Sequence, residues 1–149
     1  EANAPVSLER EHRLYQMDWL QRHYPFSEDE LALAFDEDGN MDPNVDPKEA
    51  IAYRSPALYP IEVNSAPLHM LQRVPGIGPV SAARILSTRR EYRFSTVDQL
   101  RKVGVVVRRA LPFLTIAGRQ LKTSQARSRS NHPISKRHQS EGYQLAFDF

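Results

Sequence analysis

Cysteine is absent from this 149-residue chain. No disulfide, thiolate metal site, iron–sulfur cluster or cysteine nucleophile can therefore be built from its own residues. Long apolar runs are missing too. Nothing approaches the roughly 20 residues of a membrane span, and the chain opens on Glu1 without a charged-then-apolar export signal. No membrane partner is expected, and a soluble, cytoplasmic chain is. An initiator methionine is also lacking, which suggests an excised piece of something longer. Hydrophobic residues make up 40% of the chain, lean for a chain buried throughout, so part of it is expected to be unfolded. His12, His23 and His69 show no metal-cage spacing with carboxylates. Neither a Ser-His-Asp arrangement nor a supported carboxylate pair appears, so the chain alone is not expected to be an enzyme, and no catalytic residue is assigned.

Charge is present but divided. The formal net charge is only +2, yet residues 1–50 carry thirteen acids against four bases, and residues 51–149 five acids against sixteen bases. The basic part should attract phosphate backbones by releasing counterions, while the acidic part must face elsewhere. Within the acidic part, Asp36 to Asp42 surrounds Gly39. Aligning that glycine with the sixth place of a calcium loop would put Ala34 first, where a carboxylate belongs, so a solvated acidic loop is expected.

The most informative stretch is Val74-Pro75-Gly76-Ile77-Gly78-Pro79. Two glycines around one branched residue, followed by a proline suited to the first helical position, predict a tight turn between two short helices, Ser65 to Arg73 and Pro79 to Arg90. With glycine as cap, the N–H groups of Gly76, Gly78, Val80 and Ser81 lack obvious partners, and the dipole of the second helix adds positive potential. The turn is expected to point these amides outward, a place that suits a phosphate.

Around it, apolar residues at helical spacing predict a helix from Leu8 to Tyr24 whose broad apolar face needs a covering surface. Ser27 with Glu30 forms a capping box for a short helix through Phe35, and Asp46-Pro47 opens a helix from Lys48 to Arg54. Tyr59 to Asn64 reads as extended. Leu68, Leu71 and Val74 are expected to meet Ala82, Ile85 and Leu86 across the hairpin. One such hairpin is too short to hold itself together, so another layer is required. The chain supplies it: Thr96 with Gln99 caps a third helix, and Leu100-Arg101-Lys102-Val103-Gly104 echoes Leu71-Gln72-Arg73-Val74, predicting a second, degenerate hairpin from Val97 to Leu114. In the echo Gly104 matches Gly76, but Val106 stands where Gly78 does.

Beyond Gly118 the chain is rich in Ser, Arg, Gln and His, too polar to bury a core. Arg119, Lys122, Arg127, Arg129, Lys136 and Arg137 make it a basic arm or a plain linker. Apolar residues return only in Tyr143-Gln144-Leu145-Ala146-Phe147-Asp148-Phe149.

These features carry resemblances. Leu71 to Leu86, read as L-x-x-V-P-G-I-G-P-x-x-A-x-x-I-L, closely resembles the helix-hairpin-helix module that holds DNA backbones without reading sequence. Val63 to Thr115, with Val63-Asn64-Ser65-Ala66 before the turn, looks like the DNA-binding domain of competence-type DNA receptors. Residues 5 to 116 look still more like the C-terminal part of bacterial radical-SAM proteins linked to DNA modification or repair. The matching blocks are Arg10 to Gln16, Asp18-Trp19-Leu20, Asp46-Pro47-Lys48, Tyr59 to Asn64, the hairpin, and Gly104 to Phe113.

The resemblance implies an all-α fold, a doubled helix-hairpin-helix domain at residues 63–117. An acidic helical connector at 1–62 precedes it, and a disordered basic tail at 118–149 follows. It implies DNA binding through Gly76, Ile77, Gly78, Val80 and Ser81, with Arg73, Arg84, Arg89, Arg108 and Arg109 as cations. A bound Na⁺ or K⁺ at the backbone of Val74 and Ile77 would assist. Any four-iron, four-sulfur cluster and S-adenosylmethionine would belong to an upstream barrel. The final peptide looks like those that dock into the bacterial sliding clamp, with Gln144, Leu145, Phe147 and Phe149 as contacts. Two alternatives stay open: a tail folded back on its own domain, and a chain that serves chiefly as a protein-interaction adaptor.

Overall fold

The computed structural model describes residues 7–121. Helix α1 (Leu8–His23) begins where the Ser7 side chain accepts from the Arg10 amide. Helix α2 (Glu28–Ala32) opens on a complete Ser27–Glu30 capping box, and α3 (Pro47–Tyr53) on Asp46, whose side chain accepts from the Glu49 amide. Of the broad apolar face of α1, Leu20 and Tyr24 are buried with Phe26, Leu31, Ala34, Met41 and Ile51, while Met17 and Trp19 pack at the edge of this cluster. Leu8, Leu14 and Tyr15 remain exposed.

The hairpin region follows as α4 (Leu68–Leu71), α5 (Pro79–Glu91), α6 (Val97–Lys102) and α7 (Val107–Ala110). Helix α4 is shorter than the expected Ser65 to Arg73 because Pro67 stands as its N-cap, with its carbonyl taking the Met70 and Leu71 amides. Thr96 and Gln99 form the second capping box. Leu71, Val74, Ala82, Ile85, Phe94, Leu100, Val103, Val107 and Leu111 share one core. Leu68 does not join it and is exposed, whereas Leu86 packs at its margin.

The expectation of an all-α fold needs correction. The described residues are mostly helical, but three short strands form a sheet in the order β1-β2-β3. Strand β1 (Ile61–Glu62) lies parallel to β2 (Leu114–Ile116), with Ile61 opposite Leu114 and Glu62 opposite Thr115. Strand β3 (Arg119–Gln120) returns antiparallel after a two-residue turn, Ala117 and Gly118, both at positive φ. The Glu62 carboxylate holds this arrangement by accepting from Thr115 Oγ1 at 2.7 Å and from the Ala117 and Gly118 amides at 2.9 Å. Burial pushes its pKa up, but the amides of Gly118 and Ala117, the Thr115 hydroxyl and the Asn64 amide outweigh that and hold it below the usual carboxylate range.

The hairpin core reaches back before residue 63. Ala52 and Ile61 belong to it, and the neighbouring Ile51 belongs to the first cluster, so α3 has one side in each. Asn64 closes the module at its other end: Nδ2 donates to the Phe94 carbonyl at 3.0 Å and Oδ1 accepts from the Phe94 amide at 2.7 Å.

Candidate nucleic-acid interface

At the turn between α4 and α5 the chain reverses within four residues. The Ile77 amide donates to the Val74 carbonyl at 3.1 Å. Gly76 has φ +85, and its carbonyl accepts from the Val106 amide at 2.9 Å. A Cβ at Gly76 would lie 2.5 Å from the Val106 carbonyl oxygen, so the two hairpin turns touch backbone to backbone and only glycine fits. Gly104 also has positive φ, +93, which supports its equivalence to Gly76. Gly78 and Val106, at φ −86 and −78, are in ordinary backbone regions, so a valine in the second turn breaks no backbone rule.

The turn does not stand out from the surface as expected. Gly76, Ile77, Gly78 and Ser81 are buried, and the carbonyls of Gly76 and Ile77 face inward to Val106 and Lys48. The burial follows from the second turn on one side and α3 on the other. The amides are another matter. None of the N–H groups of Gly76, Gly78, Val80 and Ser81 makes a hydrogen bond to a described residue, and Gly78 caps α5 without a side-chain acceptor. This end of α5 opens to solvent at Val80, which is 56% exposed, and at Ala83 and Arg84. Arg84 lies against the second turn: its Nη1 is 3.6 Å from the place a Cβ would take on Gly104.

The five arginines expected to support an anion divide sharply. Arg73 pairs with Glu30 and also donates to the carbonyls of His69 and Pro25, both at 2.7 Å. Arg89 ties α5 to the preceding loop through the Val63 and Ala66 carbonyls. Arg109 Nη2 lies 2.9 Å from Asp46 Oδ2, a close ion pair whose angle is not that of a hydrogen bond. These three are internal ties. Arg84 and Arg108 are exposed, and so is Lys102, a cation outside the expected five, beside Gly104.

Beneath the turn lies a polar group that local sequence gave no sign of. Arg13 Nη1 donates to Gln16 Oε1 at 2.7 Å, Gln16 Nε2 reaches Asp46 Oδ2 at 3.4 Å, and Asp46 faces Arg109. Next to it Lys48, with no exposed surface, donates to the Ile77 carbonyl at 2.6 Å and sits 4.7 Å from the centre of the Tyr24 ring. That geometry bears on the expected Na⁺ or K⁺. An alkali ion on the Ile77 oxygen would meet a buried ammonium at contact distance, a strong like-charge repulsion, so Val74 and Ile77 do not fit as its ligands.

Among the described residues no cluster of His, Asp or Glu could hold a metal ion, and no helix is long and apolar enough to cross a membrane. In the acidic loop Asp36 Oδ1 accepts from the amides of Asp38 and Asn40, making it a self-bonded turn. Gln144, Leu145, Phe147 and Phe149, like most of the basic arm, lie outside the described residues.

No curated protein matches the chain, and no solved structure does. A family model does match: residues 59–111 fit the helix-hairpin-helix motif, a span that contains α4 to α7 and both turns, so this chain carries a helix-hairpin-helix motif.

Proposed function

We propose that this chain binds DNA through its phosphate backbone, without sequence preference, using the exposed start of α5. One observation carries the reading: in a region matching the helix-hairpin-helix motif, the amides of Gly78, Val80 and Ser81 make no hydrogen bond to a described residue, and the same stretch of α5 carries exposed Val80 and Arg84, with exposed Arg108 and Lys102 on the adjoining hairpin. Amide donors and the helix dipole accept one phosphate, and the flexible cations take its neighbours. Arg73, Arg89 and Arg109 hold the frame. Their substitution should weaken binding by loosening the fold.

The whole-protein role proposed with this is DNA delivery for an upstream radical-SAM domain. It rests on the resemblance of the ordered sequence blocks, and the exposed Leu8, Leu14 and Tyr15 on α1 are the kind of surface a neighbouring domain would cover.

The test is titration of the full chain with labelled duplexes of unrelated sequence over a range of salt. The reading predicts similar affinities for all of them, falling steeply as salt rises. Affinity that ignores salt would overturn it. A partner lost only when residues 143–149 are deleted would favour the adaptor alternative.

A further inference from the structure

We infer that Lys48 is the hairpin's own resident cation: its ammonium holds the turn's inward carbonyl, so the module works without a bound alkali ion. The inference deepens the proposed DNA reading and rests on it only for the binding measurement below. Four observations converge. Lys48 has no exposed surface, although lysine is almost never fully buried unless its charge is met. Its Nζ makes a 2.6 Å hydrogen bond to the Ile77 carbonyl, at the centre of the turn and 29 residues away in sequence. The Tyr24 ring lies 4.7 Å from the same nitrogen and offers its negative face. Lys48 also occupies the first turn of α3, the end of a helix where a positive charge is disfavoured by the dipole. The contacts with the turn carbonyl and the Tyr24 ring offset that cost.

The consequence is mechanical. The Ile77 carbonyl sets the plane of the peptide that ends in the Gly78 amide, one of the donors facing the anion site. A fixed ammonium on that oxygen keeps this amide aimed and polarises it through the peptide group. It also makes α3, in the acidic half, a working part of the hairpin. Lys48 is thus a positioning residue: it is buried and does not itself reach DNA.

The test uses the full chain, with Lys48→Ala beside the wild type, in potassium, sodium or tetramethylammonium chloride at equal ionic strength. Thermal unfolding and duplex binding are read in each salt. For the wild type, Tm and Kd should be the same in all three, Kd within about twofold. Lys48→Ala should lose more than about 5 °C in tetramethylammonium and recover part of it in potassium or sodium, as an alkali ion enters the vacated place. Wild-type stability or binding that needs potassium or sodium would overturn the inference, and so would a Lys48→Ala protein whose loss is not recovered by either ion. If Lys48→Ala does not fold, the wild-type comparison decides. A chain that binds no duplex in any salt would contradict the DNA reading and leave the unfolding result standing.

Discussion

Arg73 grips Glu30 through two contacts, Nε to Oε1 at 2.7 Å and Nη2 to Oε2 at 3.1 Å, while the same carboxylate accepts the Ser27 amide of its own capping box. A residue of the hairpin thereby clamps the start of α2, and the guanidinium also lies over the Phe26 ring. Both side chains are mostly buried, at 13% and 21% exposure. The arginine belongs to the joint between the acidic half and the module.

That joint should show in acid. Hydrogen bonding from Arg73, against the opposing effect of burial, holds the Glu30 pKa below its ordinary 4.5. A lowered carboxylate pKa contributes stability that is fully present above the unfolded value and lost as pH falls through the folded one. Arg73→Met should cost about 2 kcal/mol near neutral pH. Urea unfolding at stepped pH should show the gap from wild type closing below about pH 4; a gap independent of pH would contradict this account of the pair.

Alkaline pH should reveal a neighbour. The Tyr59 hydroxyl donates to the Arg73 carbonyl at 3.1 Å, and burial raises its pKa to about 12. The fold favours the neutral phenol, so this contribution is present below the ordinary value of 10.0 and is lost as pH rises toward the folded one. Tyr59→Phe should cost about 1 kcal/mol at neutral pH and remove part of the alkaline loss. Spectrophotometric titration should show one late-ionising phenol disappear in the variant.

The two turns predict a ranking of glycine substitutions. Gly76→Ala places a Cβ 2.5 Å from the Val106 carbonyl oxygen at φ +85, and should cost about 3 kcal/mol or more. Gly104→Ala meets Ser81 Oγ at 3.1 Å, a side-chain atom that can move, and should cost less, about 1–2 kcal/mol. Gly39→Ala meets nothing within 4 Å and should cost only the strain of its φ, about 1 kcal/mol. Thermal unfolding by circular dichroism checks the order.

Much of the helical frame was legible because its signals are local. Ser27 with Glu30, Thr96 with Gln99 and Asp46 before Pro47 each start a helix where their spacing says, and the glycine turn falls between α4 and α5 as its residues predict, though buried rather than turned outward. The sheet was not legible: strands of two or three residues carry no period, and β1 meets β2 across some fifty residues of chain. The roles of Arg73, Arg89 and Arg109 were missed for a related reason. A charged residue beside a glycine turn looks alike in sequence whether it faces solvent or an acid far along the chain, and Glu30 and Asp46 are such acids. Lys48 gave one signal, a positive charge in the first turn of a helix, the end where the dipole disfavours it.

The central claim is that exposed cations beside the start of α5 hold a phosphate backbone, and Arg84 with Arg108 tests it most directly. Fluorescence anisotropy of a labelled duplex should be compared between wild type and the Arg84→Glu, Arg108→Glu double variant over a salt series. The account predicts affinity lowered more than about tenfold at low salt and a salt slope reduced by about 2, with the circular dichroism unchanged. Equal affinity and equal slope in a folded double variant would contradict it.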